Sequence, residues 1–65
     1  MDDIPIELRN RLKSEWCNCA VNHGDLKLLQ WARSNGAPWD KSICARAAFD
    51  GHLEILQWAR DNGAP

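Results

Sequence analysis

Residues 17–38 read CNCAVNHGDLKLLQWARSNGAP and residues 44–65 read CARAAFDGHLEILQWARDNGAP. The second stretch begins 27 residues after the first, and 13 of the 22 aligned positions are identical. A repeat of this length is one supersecondary unit that cannot bury its apolar face alone, so it stacks on its neighbours and leaves a continuous outer surface. The pattern points to recognition rather than to chemistry.

Within each copy a segment rich in small residues precedes a glycine. Residues 16–22 and 43–50 read as short helices carrying Ala20, Ala47 and Ala48, and small side chains let helices approach closely. Gly24 and Gly51 follow, where a turn between helices needs a backbone conformation that glycine adopts without a Cβ penalty. The next segment places Leu26, Leu28, Leu29, Trp31 and Ala32 in one copy, and Leu53, Ile55, Leu56, Trp58 and Ala59 in the other. Recurrence at three and four residues makes a broad apolar stripe of helical period. Asn35-Gly36-Ala37-Pro38 and Asn62-Gly63-Ala64-Pro65 stop these helices, because glycine suits the position after a helix end and proline cannot continue one. With no convincing strand, each copy is helix, turn, helix, stop, and the fold class is all-α.

Trp39-Asp40-Lys41-Ser42 is the whole connection between the copies, and Asp40 or Ser42 can cap the helix that follows. Before the repeats, Ile4, Leu8, Leu12 and Trp16 recur every four residues, and Pro5 sits where a first helical turn tolerates proline. The spacing predicts an added helix over residues 5–13. The expected organisation is an N-terminal capping helix within residues 1–15 and two repeats, 16–42 and 43–65.

Sixty-five residues make at most one small domain. Such a chain buries only about 60% of the surface its unfolded form exposes, so its stability is marginal. Four tryptophans partly offset this, since a large aromatic buries roughly 150–250 Å², with Trp16 and Trp39 expected to be only partly covered. Eight basic and nine acidic residues give a net charge of −1 without a run of either sign, which sets aside nucleic acid and membranes as partners. The amino terminus lacks the basic and apolar regions of a secretory signal, and no apolar stretch approaches the ~18 residues of a membrane span. Three cysteines without a framework pattern agree with a reducing compartment. The expected location is intracellular, cytoplasmic or nuclear.

The stretch Ala47-Ala48-Phe49-Asp50-Gly51-His52-Leu53-Glu54-Ile55-Leu56 resembles the A-A-x-x-G-H-L-E-hydrophobic-hydrophobic core of the ankyrin repeat, and Asn62-Gly63-Ala64 resembles its x-G-A ending. The form Gln-Trp-Ala-Arg-x-Asn-Gly-Ala-Pro, continued by Trp39-Asp40, is similar to shortened ankyrin-type repeats found in long arrays in protists and large DNA viruses, where a viral protein would act in the host cell. The resemblance covers residues 16–65 and implies a helix-turn-helix solenoid. It also has departures. The usual repeat is about 33 residues with a β-hairpin before a T-P-L-H turn, whereas here the period is 27 and Ser42-Ile43-Cys44-Ala45 stands in that place. The hairpins are therefore expected to be reduced or absent, and a longer parent array is a second expectation.

The resemblance implies that the two positions after the paired small residues face the concave side of the stack. Here they are Asn22-His23 and Phe49-Asp50. These four are the candidate partner-binding residues, with Phe49 either an anchor for a partner or a packing residue. Trp39 is either a further anchor or a cover over the inter-repeat turn. Trp31 and Trp58 recur at the period and read as stacked core positions, and Arg33 and Arg60 suit the negative ends of their helices. The resemblance gives His52 a turn position, where its ring would hydrogen-bond nearby backbone.

Cys19 and His23 are four apart and could share a helix face, but Cys17 lies about 200° round the helix from Cys19, and two ligands do not make a zinc site. No metal or cofactor is expected; Cys17 and Cys44 read as core residues and Cys19 as an exposed thiol. There is no phosphate loop, no nucleophile with a base at recognisable spacing, and little chain to enclose a substrate, so no enzymatic activity is expected. A non-catalytic protein-protein interaction module is the first reading. A second is a fragment or end of a longer solenoid, with Leu53, Ile55, Leu56 and Trp58 exposing apolar surface and allowing self-association. A third rests on Asp3-Ile4-Pro5-Ile6-Glu7-Leu8, which is similar to the L-P-x-E-L opening of F-box domains and implies a ubiquitin-ligase adaptor.

Overall fold

The computed structural model describes residues 4–64. Four α-helices run in order: α1 (Trp16–His23), α2 (Leu26–Ser34), α3 (Lys41–Phe49) and α4 (Leu53–Asp61). Two single 3₁₀ turns, Ile6–Leu8 and Lys13–Glu15, precede them. The described residues contain no strand, so the fold there is two helix-turn-helix units without hairpins.

All four helices stop in the same way. After a glycine of positive φ the next amide reaches back five residues, Asp25 to Ala20 at 3.0 Å, Ala37 to Ala32 at 3.0 Å, His52 to Ala47 at 2.8 Å and Ala64 to Ala59 at 2.9 Å. These bonds satisfy carbonyls that the last helical turn leaves without partners. At the other ends, Asp25 accepts the Leu28 amide at 3.1 Å and Asp40 accepts the Ser42 amide at 2.9 Å. Of the two linker candidates, Asp40 is thus the cap and Ser42 its donor. α3 consequently begins at Lys41, two residues earlier than the sequence spacing predicts, and Asp50 lies just past its end.

Leu8, Val21, Leu29, Ile43 and Ile55 are fully buried in one core, together with Ala20, Ala32, Ala47 and Ala59. Each of the larger five contributes about 1.5–3 kcal/mol by leaving water. The alanines decide the layering. α1 packs directly on α3 and each first helix on its own second helix, whereas α2 and α4 touch little.

The N-terminal segment departs from the continuous helix predicted over residues 5–13. Leu12 is extended (ψ 145°), and the chain folds back across α1 instead of running on from it. A straight helix would carry Leu8 away along its own axis; the break lets Leu8 bury completely while Leu12 is left 69% exposed. The indole N–H of Trp16 donates to the Arg11 carbonyl at 3.3 Å and holds the fold-back in place. Trp16 is therefore buried, more fully than expected. Residues 1–3 and Pro65 of the sequence-based organisation lie outside the described residues.

The same segment overturns the reading of Cys19 as an exposed thiol. Cys19 is buried, its thiol 3.7 Å from the Glu7 carbonyl. Ile55 is also buried rather than at the open end, and Cys44 is half-buried rather than in the core.

Candidate interaction surface

Asn22 and His23 close α1, and Phe49 and Asp50 hold the corresponding places at the end of α3. Because α1 and α3 are neighbours, all four reach the same edge of the stack, and all four are exposed. Phe49 is 83% exposed, which decides against packing for its ring. Asp50 lies 3.9 Å from the Arg46 guanidinium one turn back along α3. Leu53, at the start of α4 just beyond the turn, is 69% exposed and adds apolar surface near Phe49 in the chain.

Trp39 is not part of this edge. It precedes the first residue of α3, about 13 Å of helix away from Phe49. Its half-buried ring meets Trp58 edge-on at 5.8 Å between centroids, and the Arg33 guanidinium lies 4.2 Å above it. Arg33 also donates to the Ala37 carbonyl at the end of α2. Trp39 thus covers the inter-repeat turn. A second aromatic pair, Trp16 with Trp31 at 5.2 Å, joins α1 to α2 within the first repeat.

Asn18 and Arg46 of the exposed first-helix face escaped sequence reading, and Ser42 reads there only as a candidate cap. Asn18 and Ser42 join α1 to α3 through a side-chain contact of 3.4 Å, and Arg46 lies 3.9 Å from Asp50. Asn18 lies one turn before Asn22, so helical period could have found it. The Ser42 contact depends on how the copies stack, which no local spacing encodes.

The electrostatics are mild. The Ser42 hydroxyl and then its amide hold Asp40 below the usual carboxylate value, with Lys41 adding to the effect. Burial pushes the Cys17 thiol up, and Arg33 offsets part of that. Among the described residues no three His, Cys, Asp or Glu side chains converge. The depression lined by Ser14, Cys17, Asn18, Trp39 and Asp40 holds about 220 Å³, and broader surface recesses reach about 500 Å³ along Leu53, Leu56, Gln57, Arg60 and Asp61.

His52 departs from expectation. Its side chain caps nothing, and its ring covers Gly24 of the preceding repeat instead.

The profile described as "Ankyrin repeats (many copies)" matches residues 17–60, which span both helical pairs. The chain belongs to the ankyrin-repeat family. No curated protein and no solved structure matches it. Ankyrin repeats are in general protein-interaction modules and typically non-catalytic. This ankyrin chain carries the family's helical pairs and glycine turns at a shortened period, with Trp39-Asp40 in place of hairpin fingers.

Proposed function

We propose that this ankyrin chain is a non-catalytic interaction module whose protein partner docks on the edge formed by the ends of α1 and α3. Phe49 is the apolar anchor, with Asn22, His23 and Asp50 around it. The observation that carries this reading is the contrast between the copies. Positions that build the core keep their character, Leu29 with Leu56 and Ala32 with Ala59, while the exposed pair changes from Asn22-His23 to Phe49-Asp50. A large aromatic held in water at the end of a helix, beside groups that can hydrogen-bond, has the composition of an interface anchor. The balanced surface charge supports a protein rather than a nucleic acid or a membrane as partner. An intracellular setting belongs to the same reading, supported by three unpaired thiols.

The test is site-specific cross-linking from a photoreactive phenylalanine analogue placed at position 49, with the same analogue at Lys27 as the control. The expected result is a discrete product from position 49 alone, competed away by unlabelled chain but not by Phe49→Ala. Equal products from both positions, or no competition, would refute the assignment.

Two other readings compete. That of a stacking unit in a longer solenoid draws on the half-buried Cys44, Leu56 and Ala64 at the far side of the second repeat. The F-box reading is weaker: Leu8 is spent on covering α1, and Asp3 lies outside the described residues.

A further inference from the structure

We infer that the groove between the second helices, α2 and α4, is a docking site for a basic amphipathic helix of a protein partner. The groove is a different surface from the Phe49 edge, and the inference does not depend on the reading of that edge.

The stacking of the repeats leaves the groove. α1 packs directly on α3, whereas α2 and α4 touch little, so their outer flanks stand apart. Leu26 of the first copy forms one wall, and Leu53, Glu54, Gln57, Trp58 and Asp61 of the second form the other, around about 480 Å³. Trp39 covers one side of Trp58, whose ring remains half-buried rather than buried and adds apolar surface to the groove.

The opening lies between the two copies and not at the last of them. A second repeat is already stacked on the first copy, and there Lys27 and Ser34 are exposed and Trp31 is half-buried. One period on, Glu54, Asp61 and Trp58 have the same exposure. A further repeat stacked on α3 and α4 would therefore leave these three groups as they are.

Charge selects the occupant. A cation and a hydroxyl on the outer flank of α2, Lys27 and Ser34, are replaced on α4 by two carboxylates, Glu54 and Asp61. Among the described residues no lysine or arginine lines the groove. Arg33 is held on the Trp39 ring and the Ala37 carbonyl, and Arg60 lines the recesses on the Leu56 side of α4. Apolar walls with a carboxylate rim complement apolar side chains flanked by cations.

Spacing selects the form of that occupant. Glu54 and Asp61 are seven residues apart, two turns on one face of α4, or about 10 Å along the axis. An extended segment presents a side chain to one face at roughly 6.6 or 13 Å and misses that interval. A helix lying along α4 meets it with cations seven residues apart and apolar side chains at the third and fourth positions between them. Exposed ion pairs are weak, so the dissociation constant is on the order of 0.1–1 mM.

The test is titration of the ¹⁵N-labelled full chain with a synthetic fifteen-residue alanine-rich helical peptide. It carries lysines at its fourth and eleventh positions and leucines at its seventh and eighth; a control peptide has one lysine moved by two positions, to another face. The expected amide and indole shifts gather at Leu26, Glu54, Trp58 and Asp61, and the control binds several-fold more weakly. Glu54→Gln and Asp61→Asn, both at exposed positions, each weaken the peptide about two- to fivefold while circular dichroism stays native; two separate variants keep the result readable if one misfolds. Phe49→Ala binds the peptide as the native chain does, which separates this result from the fate of the Phe49 edge. Shifts centred elsewhere, equal binding of the control, affinity indifferent to both substitutions, or no binding up to millimolar peptide would overturn the inference.

Discussion

The imidazole of His52 fills the space into which a side chain at Gly24 would project: a Cβ there would stand 2.7 Å from His52 Cε1. Gly24 also has φ +67°, a region that L side chains enter at a cost of about 1–2 kcal/mol. Gly51 has a similar φ of +75° with nothing near its missing Cβ. Gly24→Ala and Gly51→Ala should therefore share a backbone penalty of about 1 kcal/mol or more, and Gly24→Ala should cost extra for displacing His52. Urea denaturation of both, and of each with His52→Ala, checks this. The excess must vanish when His52 is absent.

Exposure separates binding from folding at Phe49. The residue is 83% exposed, so Phe49→Ala should change stability by no more than about 0.5 kcal/mol. Leu29→Ala, at a fully buried position, should cost about 2–5 kcal/mol and unfold much of so small a chain. Thermal melts of the two variants distinguish these roles.

Asp40 gives the fold an acid-sensitive cap. Its carboxyl is held below the usual value by Ser42, so the folded state binds the proton less readily than the unfolded state. The cap's contribution is present above the ordinary aspartate value of about 3.9 and is lost as pH falls through the lower folded value. Asp40→Asn should therefore lower the melting temperature at pH 7, and the difference from the native chain should shrink in acid.

Trp39 joins the repeats through Trp58 and carries the Arg33 guanidinium on its face. Trp39→Leu should cost about 1–2 kcal/mol, summing an aromatic pair and a cation–π contact. Arg33→Lys should cost less, since the ammonium keeps the charge but loses the stacked plane. Urea midpoints of the two variants give the comparison.

The three thiols should react in order. Cys44 is half-buried, while Cys17 and Cys19 are buried, so mass spectrometry of dilute native chain under alkylation should show one fast site and two that wait for unfolding. Because burial raises the Cys17 value, the folded state keeps a proton that the unfolded state releases. The stability linked to Cys17 is full below the unfolded value of about 8.5 and declines as pH rises above it. Cys17→Ala should remove that alkaline loss.

What the sequence by itself determined was everything repeated and local. The 27-residue period, the four helices, the glycine stops and the family are written in spacing and in residue types with strong backbone preferences. The resemblance to ankyrin repeats singles out Asn22, His23, Phe49 and Asp50, and it is the structure that shows all four exposed at helix ends. Only the tertiary structure decided matters that depend on one segment lying over another. The fold-back of residues 4–15 buries Cys19 beneath the Glu7 carbonyl and leaves Leu12 in water, although Ile4, Leu8, Leu12 and Trp16 recur at helical spacing. Trp39 is drawn onto Trp58 and His52 onto Gly24 because stacked repeats bring those rings to neighbours 19 and 28 residues away. Periodicity encodes the face that a residue shares with its own helix; which surface then covers that face is set by packing across the stack, where shape and burial outweigh local preference.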